Sequence, residues 1–247
     1  KVGAITLAKE IGTDGVEVDM GGLGKKVDFE NKLNDQKTRE QFIAECNRLG
    51  LQISSIAMSA FYGQNFAKRD NYLPLTEETI AVMKALKVKN CFLPLTNITD
   101  MQKDEQLYAL VVDRLKTIAK KAEAAGVVIG IETSIPAKEE AKLIDKVASP
   151  SIRSYVNVST ILKRNGDICK ELKTLGKERI VQIHITNTDG HWLQNDPAVN
   201  MLEIKKTLDK MGWGGWLVIE RSRDTKDVHN VKWNYGANAA YLKKMFQ

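Results

Sequence analysis

Residues 104–132, DEQLYALVVDRLKTIAKKAEAAGVVIGIE, contain one complete repeat of a fold. In the first part, Leu107, Leu110, Val111, Leu115, Ile118, Ala119 and Ala122 recur at helical spacing. Lys116, Lys120, Lys121 and Glu123 fall on the opposite, wet side. The pattern predicts a helix over Asp104 to Ala125, closed by Gly126, which can take the left-handed conformation of a C-terminal cap. The run that follows is apolar at nearly every position and ends on Glu132. A short run of that kind predicts a strand buried on both faces, as in a parallel sheet.

The same unit recurs outward in both directions. Further strands are predicted over Gly15 to Met20, Gln52 to Met58, Asn90 to Leu95, Ser154 to Val158, Ile180 to Ile185 and Trp216 to Glu220, beside Val127 to Glu132. Gly50 and Gly212 punctuate helices as Gly126 does. Strands alternating with helices imply right-handed crossovers and an α/β architecture. No GxGxxG or GxxxxGK[ST] follows any strand, and Gly21, Gly22 and Gly24 open no convincing helix, which speaks against a doubly wound nucleotide-binding sheet. The 247 residues match the roughly 250 of a (β/α)8 TIM barrel. With Lys1 to Ile11 read as the first helix, the first strand of that barrel is expected upstream and missing from this chain. No linker or composition shift interrupts the series, so residues 1–247 are expected to form a single barrel domain.

Composition narrows the function. The apolar fraction of 43% excludes disorder, and no apolar run approaches the roughly 20 residues that span a bilayer. The net charge of +6 is spread over helix faces rather than gathered into a stripe, so no nucleic-acid and no membrane partner is expected. Cys46, Cys91 and Cys169 lack CxxC spacing and read as buried thiols. Cytoplasm is the expected compartment; the start without Met leaves a periplasmic or secreted form open.

A barrel carries its chemistry at the C-terminal ends of its strands. Polar residues stand there in otherwise apolar runs: Glu132, Asn157, His184 and Glu220, with Glu17 and Asp19 on GVEVD and Ser59 after ISSIAM. A carboxylate at the end of an apolar strand is costly unless it is paired or binds a cation. Two such carboxylates, an imidazole and an amide oxygen at one mouth make an oxygen-rich candidate site for a divalent metal. Phe61, Tyr62, His191, Trp192 and Trp233 lie on loops around that mouth, and Arg221, Arg223 and Lys232 flank Glu220. Lys138 and Lys142, on a helix with Glu139 and Glu140, read as a solvated face.

Four segments in this order, GVVIGIET (126–133), YVNVST (155–160), VQIHITNTDG (181–190) and GGWLVIERS (214–222), resemble the xylose isomerase-like barrel superfamily of sugar and sugar-phosphate isomerases and epimerases. GTDGVEVDMGG (12–22) is similar to its second-strand segment. In ketose 3-epimerase-like members, the resemblance implies, a divalent metal (Mn, Mg, Co or Zn) is held by Glu, Asp, His and Glu. Those positions fall on Glu132, Asn157, His184 and Glu220, with Asn157 a departure from Asp. Thr160 replaces a substrate-binding His, and His184-Ile185-Thr186-Asn187 lacks the Lys and Asp of the usual turn.

The resemblance implies proton transfer through an enediolate with Glu132 and Glu220 as the catalytic pair. It also implies a sugar or sugar derivative as ligand, with Glu17, Thr160, Asn187, Trp192 and Arg223 lining it; a homo-oligomer is compatible. A 3-keto-glycoside lyase or hydrolase, or a sugar-binding barrel that has lost catalysis, are the alternatives. With His184, His191 and His229 as its histidines, the chain has too few ligands for the three-zinc endonuclease IV branch.

Overall fold

The computed structural model describes residues 2–23, 28–30, 32–98, 101–187 and 189–247; Gly24 lies outside them. Along the chain run α1 (Gly3–Glu10), β1 (Gly15–Asp19), α2 (Gln36–Leu49), β2 (Gln52–Ala57), α3 (Tyr72–Leu86), β3 (Asn90–Pro94), α4 (Glu105–Ala125) and β4 (Val128–Glu132). There follow α5 (Ala137–Val147), β5 (Ile152–Asn157), α6 (Val158–Lys163), α7 (Ile168–Leu175), β6 (Ile180–His184), α8 (Met201–Met211), β7 (Leu217–Val218) and α9 (Val231–Phe246).

The helices start and stop for local reasons. Asp104 caps α4 by accepting from the backbone N–H of Gln106 and Leu107, and Gly126 ends it at φ 64°. The buried stripe is Val111, Val112, Leu115, Ile118, Ala119 and Ala122, whereas Leu110 is 41% exposed. Leu110 and Val112 sit about 100° to either side of Val111 on the helix, and it is the Val112 flank that faces the protein. Helix α5 corrects a second expectation. Glu140 is buried, not solvated, because it shares the inward stripe of Ala137, Leu143, Ile144 and Val147.

Among the described residues seven strands pair in parallel in the order β1-β2-β3-β4-β5-β6-β7, and the sheet curls into a nearly closed barrel. Its register brings strand ends level: Pro94 pairs with Glu132, and Asn157 with His184. Gly130 on β4 leaves room for side chains of β5 and β6, since a Cβ there would lie 2.7 Å from Val181 Cγ1 and 3.0 Å from Tyr155 Cβ. Strand β7 is shorter than expected, with Leu217 and Val218 pairing to β6.

Among the described residues no ladder joins β1 to β7. A cavity of about 890 Å³ runs along that seam, walled by Leu7, Trp213, Trp216 and Phe246, and it reaches Glu17 and His184 inside. Cys46, Cys91 and Cys169 are free thiols, the first two buried. No helix among the described residues is long and apolar enough to cross a membrane.

Candidate active site

His184, at the end of β6, is 2% exposed and stands at the centre of the barrel mouth. Its Nε2 lies 3.2 Å from Glu17 Oε1, and its Nδ1 lies 3.9 Å from both Glu132 Oε2 and Glu220 Oε2. Nδ1 is buried and has no hydrogen-bond partner among the described residues. Three carboxylates from β1, β4 and the segment after β7 thus surround one imidazole. Burial opposes the charged ring, but Glu17, then Glu220 and Glu132, outweigh it and raise the His184 pKa. Phe92 and Tyr155 pack on the ring at 4.8 and 4.4 Å between centroids and fix its plane.

Glu17 is locked in place. Its Oε2 accepts from Ser55 Oγ at 2.6 Å and from Tyr155 OH at 2.8 Å. Burial pushes its carboxyl up, yet the charge of His184 and these donors leave it below the ordinary value. Beneath it Gln182 Nε2 donates to Ser55 Oγ and Tyr155 OH, both at 3.1 Å, and Gln182 Oε1 accepts from Asn90 Nδ2 at 2.8 Å. Gln182 precedes His184 by two positions, so the strand period places both on the inner face. That period was the sequence signal for Gln182.

Glu132 accepts from Tyr62 OH at 2.7 Å through Oε2 and from Thr160 Oγ1 at 2.9 Å through Oε1. Tyr62 comes from a single 3-10 turn, Ser59–Tyr62, after β2. Burial is the main reason the Glu132 pKa is raised, against the pull of His184, Tyr62 and Thr160. Glu220 is more open, with its side chain 30% exposed. Tyr235 OH donates to the Glu220 carbonyl and anchors the backbone there.

Asn157 ends β5 and caps α6. Its Oδ1 accepts from Ser159 N at 2.9 Å and from Ser159 Oγ at 2.8 Å, while its Nδ2 donates to Glu220 Oε2 at 3.4 Å. A backbone N–H can only donate, so the cap fixes which end of the amide is oxygen. The expected metal set is therefore not assembled. The fourth position turns N–H toward the site, and both Glu132 oxygens already accept hydroxyls. Among the described residues no group of three His, Cys, Asp or Glu side chains is placed to hold a metal ion. The donors present do not fit the four-ligand centre that the resemblance implies.

The remaining expected site residues have partners of their own. Arg223 grips Asp189 with Nε at 2.9 Å and Nη2 at 2.6 Å. Trp192 Nε1 donates to Asn234 Oδ1 at 2.8 Å, and its ring meets Trp233 edge-on at 4.5 Å. Asn187 is buried, its amide donating to Asp196 and its backbone N–H to Ser222 Oγ at 3.0 Å. Phe61 is core, and Lys232 pairs with Glu10.

The family model described as "Xylose isomerase-like TIM barrel" matches residues 5–245. No curated protein matches the chain. Among solved structures it is similar to a xylose isomerase domain protein from Planctomyces limnophilus, at 16% identity and a TM-score of 0.76 over 98% of this chain and 91% of that one. It is similar to D-psicose 3-epimerase with D-tagatose from Clostridium cellulolyticum H10, at 16% identity and a TM-score of 0.75, covering 100% and 93%. A 3-keto-D-glucoside 4-epimerase from E. coli aligns at 15% identity with a TM-score of 0.73, covering 98% and 94%. At such identities the likeness is one of fold.

Proposed function

This chain belongs to the xylose isomerase-like TIM barrel family, and we propose that it is a carbohydrate isomerase or epimerase that moves a proton beside a sugar carbonyl. The observation that carries the reading is the convergence of Glu132 and Glu220 on His184, each 3.9 Å from the same ring nitrogen at the barrel mouth. Structural neighbours described as sugar epimerases support the substrate class.

In this reading Glu220, the more open carboxylate, takes the proton from the carbon next to the carbonyl. The C–H electron pair forms the C=C bond of an enediolate, and negative charge moves onto the former carbonyl oxygen. Glu132, whose buried carboxyl favours the protonated form, returns a proton to the opposite face of that carbon, which restores the carbonyl; return to the former carbonyl carbon instead requires the neighbouring hydroxyl to pass its proton to the former carbonyl oxygen. His184, held toward its charged form, offsets the developing charge. Tyr62 and Thr160 orient Glu132, and Glu17 orients His184. Asn187, Trp192 and Arg223 belong to the rim that bounds the sugar. No step is assigned to a metal, because the donors do not fit one. The ligand in this reading is a small sugar or sugar derivative.

The test is incubation with D-fructose, D-tagatose and D-allulose in D2O. Deuterium should enter at the carbon beside the carbonyl; Glu220→Gln should abolish this exchange and Glu132→Gln should abolish conversion to the epimer or isomer, both leaving the circular dichroism spectrum intact. Sugar-dependent thermal stabilisation without exchange would identify a binding protein instead.

A further inference from the structure

We propose that this site operates without a resident divalent ion, and that the Asn157 amide N–H serves as a hydrogen-bond donor to a sugar oxygen. The inference rests on the sugar-directed reading above and adds the chemical character of one wall of the site.

The argument starts from the cap. Helix α6 begins directly after Asn157, and the backbone N–H of Ser159 has the side-chain oxygen Oδ1 of Asn157 as its acceptor. Ser159 Oγ sits on the same oxygen at 2.8 Å. Both residues are buried, so water does not replace these bonds readily. The amide plane then has one free end, and it is Nδ2, 3.4 Å from Glu220 Oε2. A carboxylate at this position could give one oxygen to the helix and the other to a cation. An amide cannot do both: turning its oxygen to an ion would set its NH2 against the Ser159 N–H. A donor N–H repels a cation and attracts an oxygen lone pair.

The charge balance agrees. Glu17 is engaged with His184, Ser55 and Tyr155, and Glu132 with Tyr62 and Thr160. Hard cations are selected by the number and charge of their oxygen ligands. Here the Asn157 position contributes neither an inward oxygen nor a charge. What it offers Glu220, and a ligand oxygen lying beside Glu220, is a fixed donor of the kind that polarises a carbonyl or holds a hydroxyl.

Asn157→Asp tests this directly, since Asp caps a helix as well as Asn and the fold is retained. Calorimetric titration with Mn2+ should give binding to Asn157→Asp at least about tenfold tighter than to the wild type. The wild type should purify without stoichiometric metal, and its melting temperature should not respond to Mn2+ or chelator. In chelator, D-tagatose should stabilise the wild type but stabilise Asn157→Asp less. Stoichiometric metal in the wild type, or Mn2+ affinity equal to that of Asn157→Asp, overturns the metal-free site. Equal stabilisation of both proteins by D-tagatose in chelator overturns the donor role. If no sugar stabilises either protein with or without Mn2+, the sugar-directed reading itself fails.

Discussion

Glu17 Oε1 and His184 Nε2 meet at 3.2 Å across the barrel interior, 167 positions apart in the chain. His184 is buried and the Glu17 side chain is 15% exposed, and each partner favours the charge of the other. Glu17 is lowered from 4.5 and His184 raised from 6.5. The pair's stabilisation is therefore fully present only between those two values. It is lost below them as Glu17 takes up a proton, and lost above them as pH rises through the folded pKa of His184. Glu17→Gln should cost about 3–5 kcal/mol in urea unfolding at pH 6. The variant should also flatten the dependence of stability on pH.

Glu140 makes an opposite prediction. Burial pushes its carboxyl up to about 7, against the Ser154 and Thr133 hydroxyls and Arg164. Between 4.5 and about 7 the folded chain binds a proton that the unfolded chain has released, so this residue makes stability fall as pH rises. Glu140→Gln should remove that decline, gaining on the order of 3 kcal/mol at pH 8 over its effect at pH 4. Urea midpoints at the two pH values measure it.

Tyr62→Phe removes the hydroxyl that Glu132 Oε2 accepts at 2.7 Å. That bond lowers the Glu132 pKa, so its loss should carry the Glu132 limb of the pH–rate profile upward. Turnover should fall about tenfold because Glu132 loses one of the two hydroxyls that orient it. An unchanged profile with lower turnover would mean that Tyr62 acts on substrate alone.

Gly130→Ala should destabilise by about 1–3 kcal/mol through overpacking. The new methyl would press on Val181 and on Tyr155, whose hydroxyl is held by Glu17. A shift in urea midpoint at unchanged m-value checks it.

The fold was legible because short strand runs such as Val128–Glu132 are largely apolar, and because α2, α4 and α8 end on Gly50, Gly126 and Gly212 in the left-handed conformation. Neither depends on distant residues. Glu132, His184 and Glu220 were legible for the same reason, being polar groups that break an apolar pattern. What the sequence hid is pairing at long range. Nothing local links Tyr62 to Glu132 or Arg223 to Asp189, and Glu17 reads as a substrate contact until β1 and β6 face one another. Asn157 was read as an oxygen donor to a metal. Its orientation is decided by Ser159 and the start of α6, a matter of cap geometry rather than residue type.

Among the described residues β1 and β7 are the two margins of the sheet. The imidazole lies against Glu17 of β1 and faces Glu220 just beyond β7. Its surroundings are thus shared between those margins, and any contact that draws the two together would also tune the acid–base groups between them.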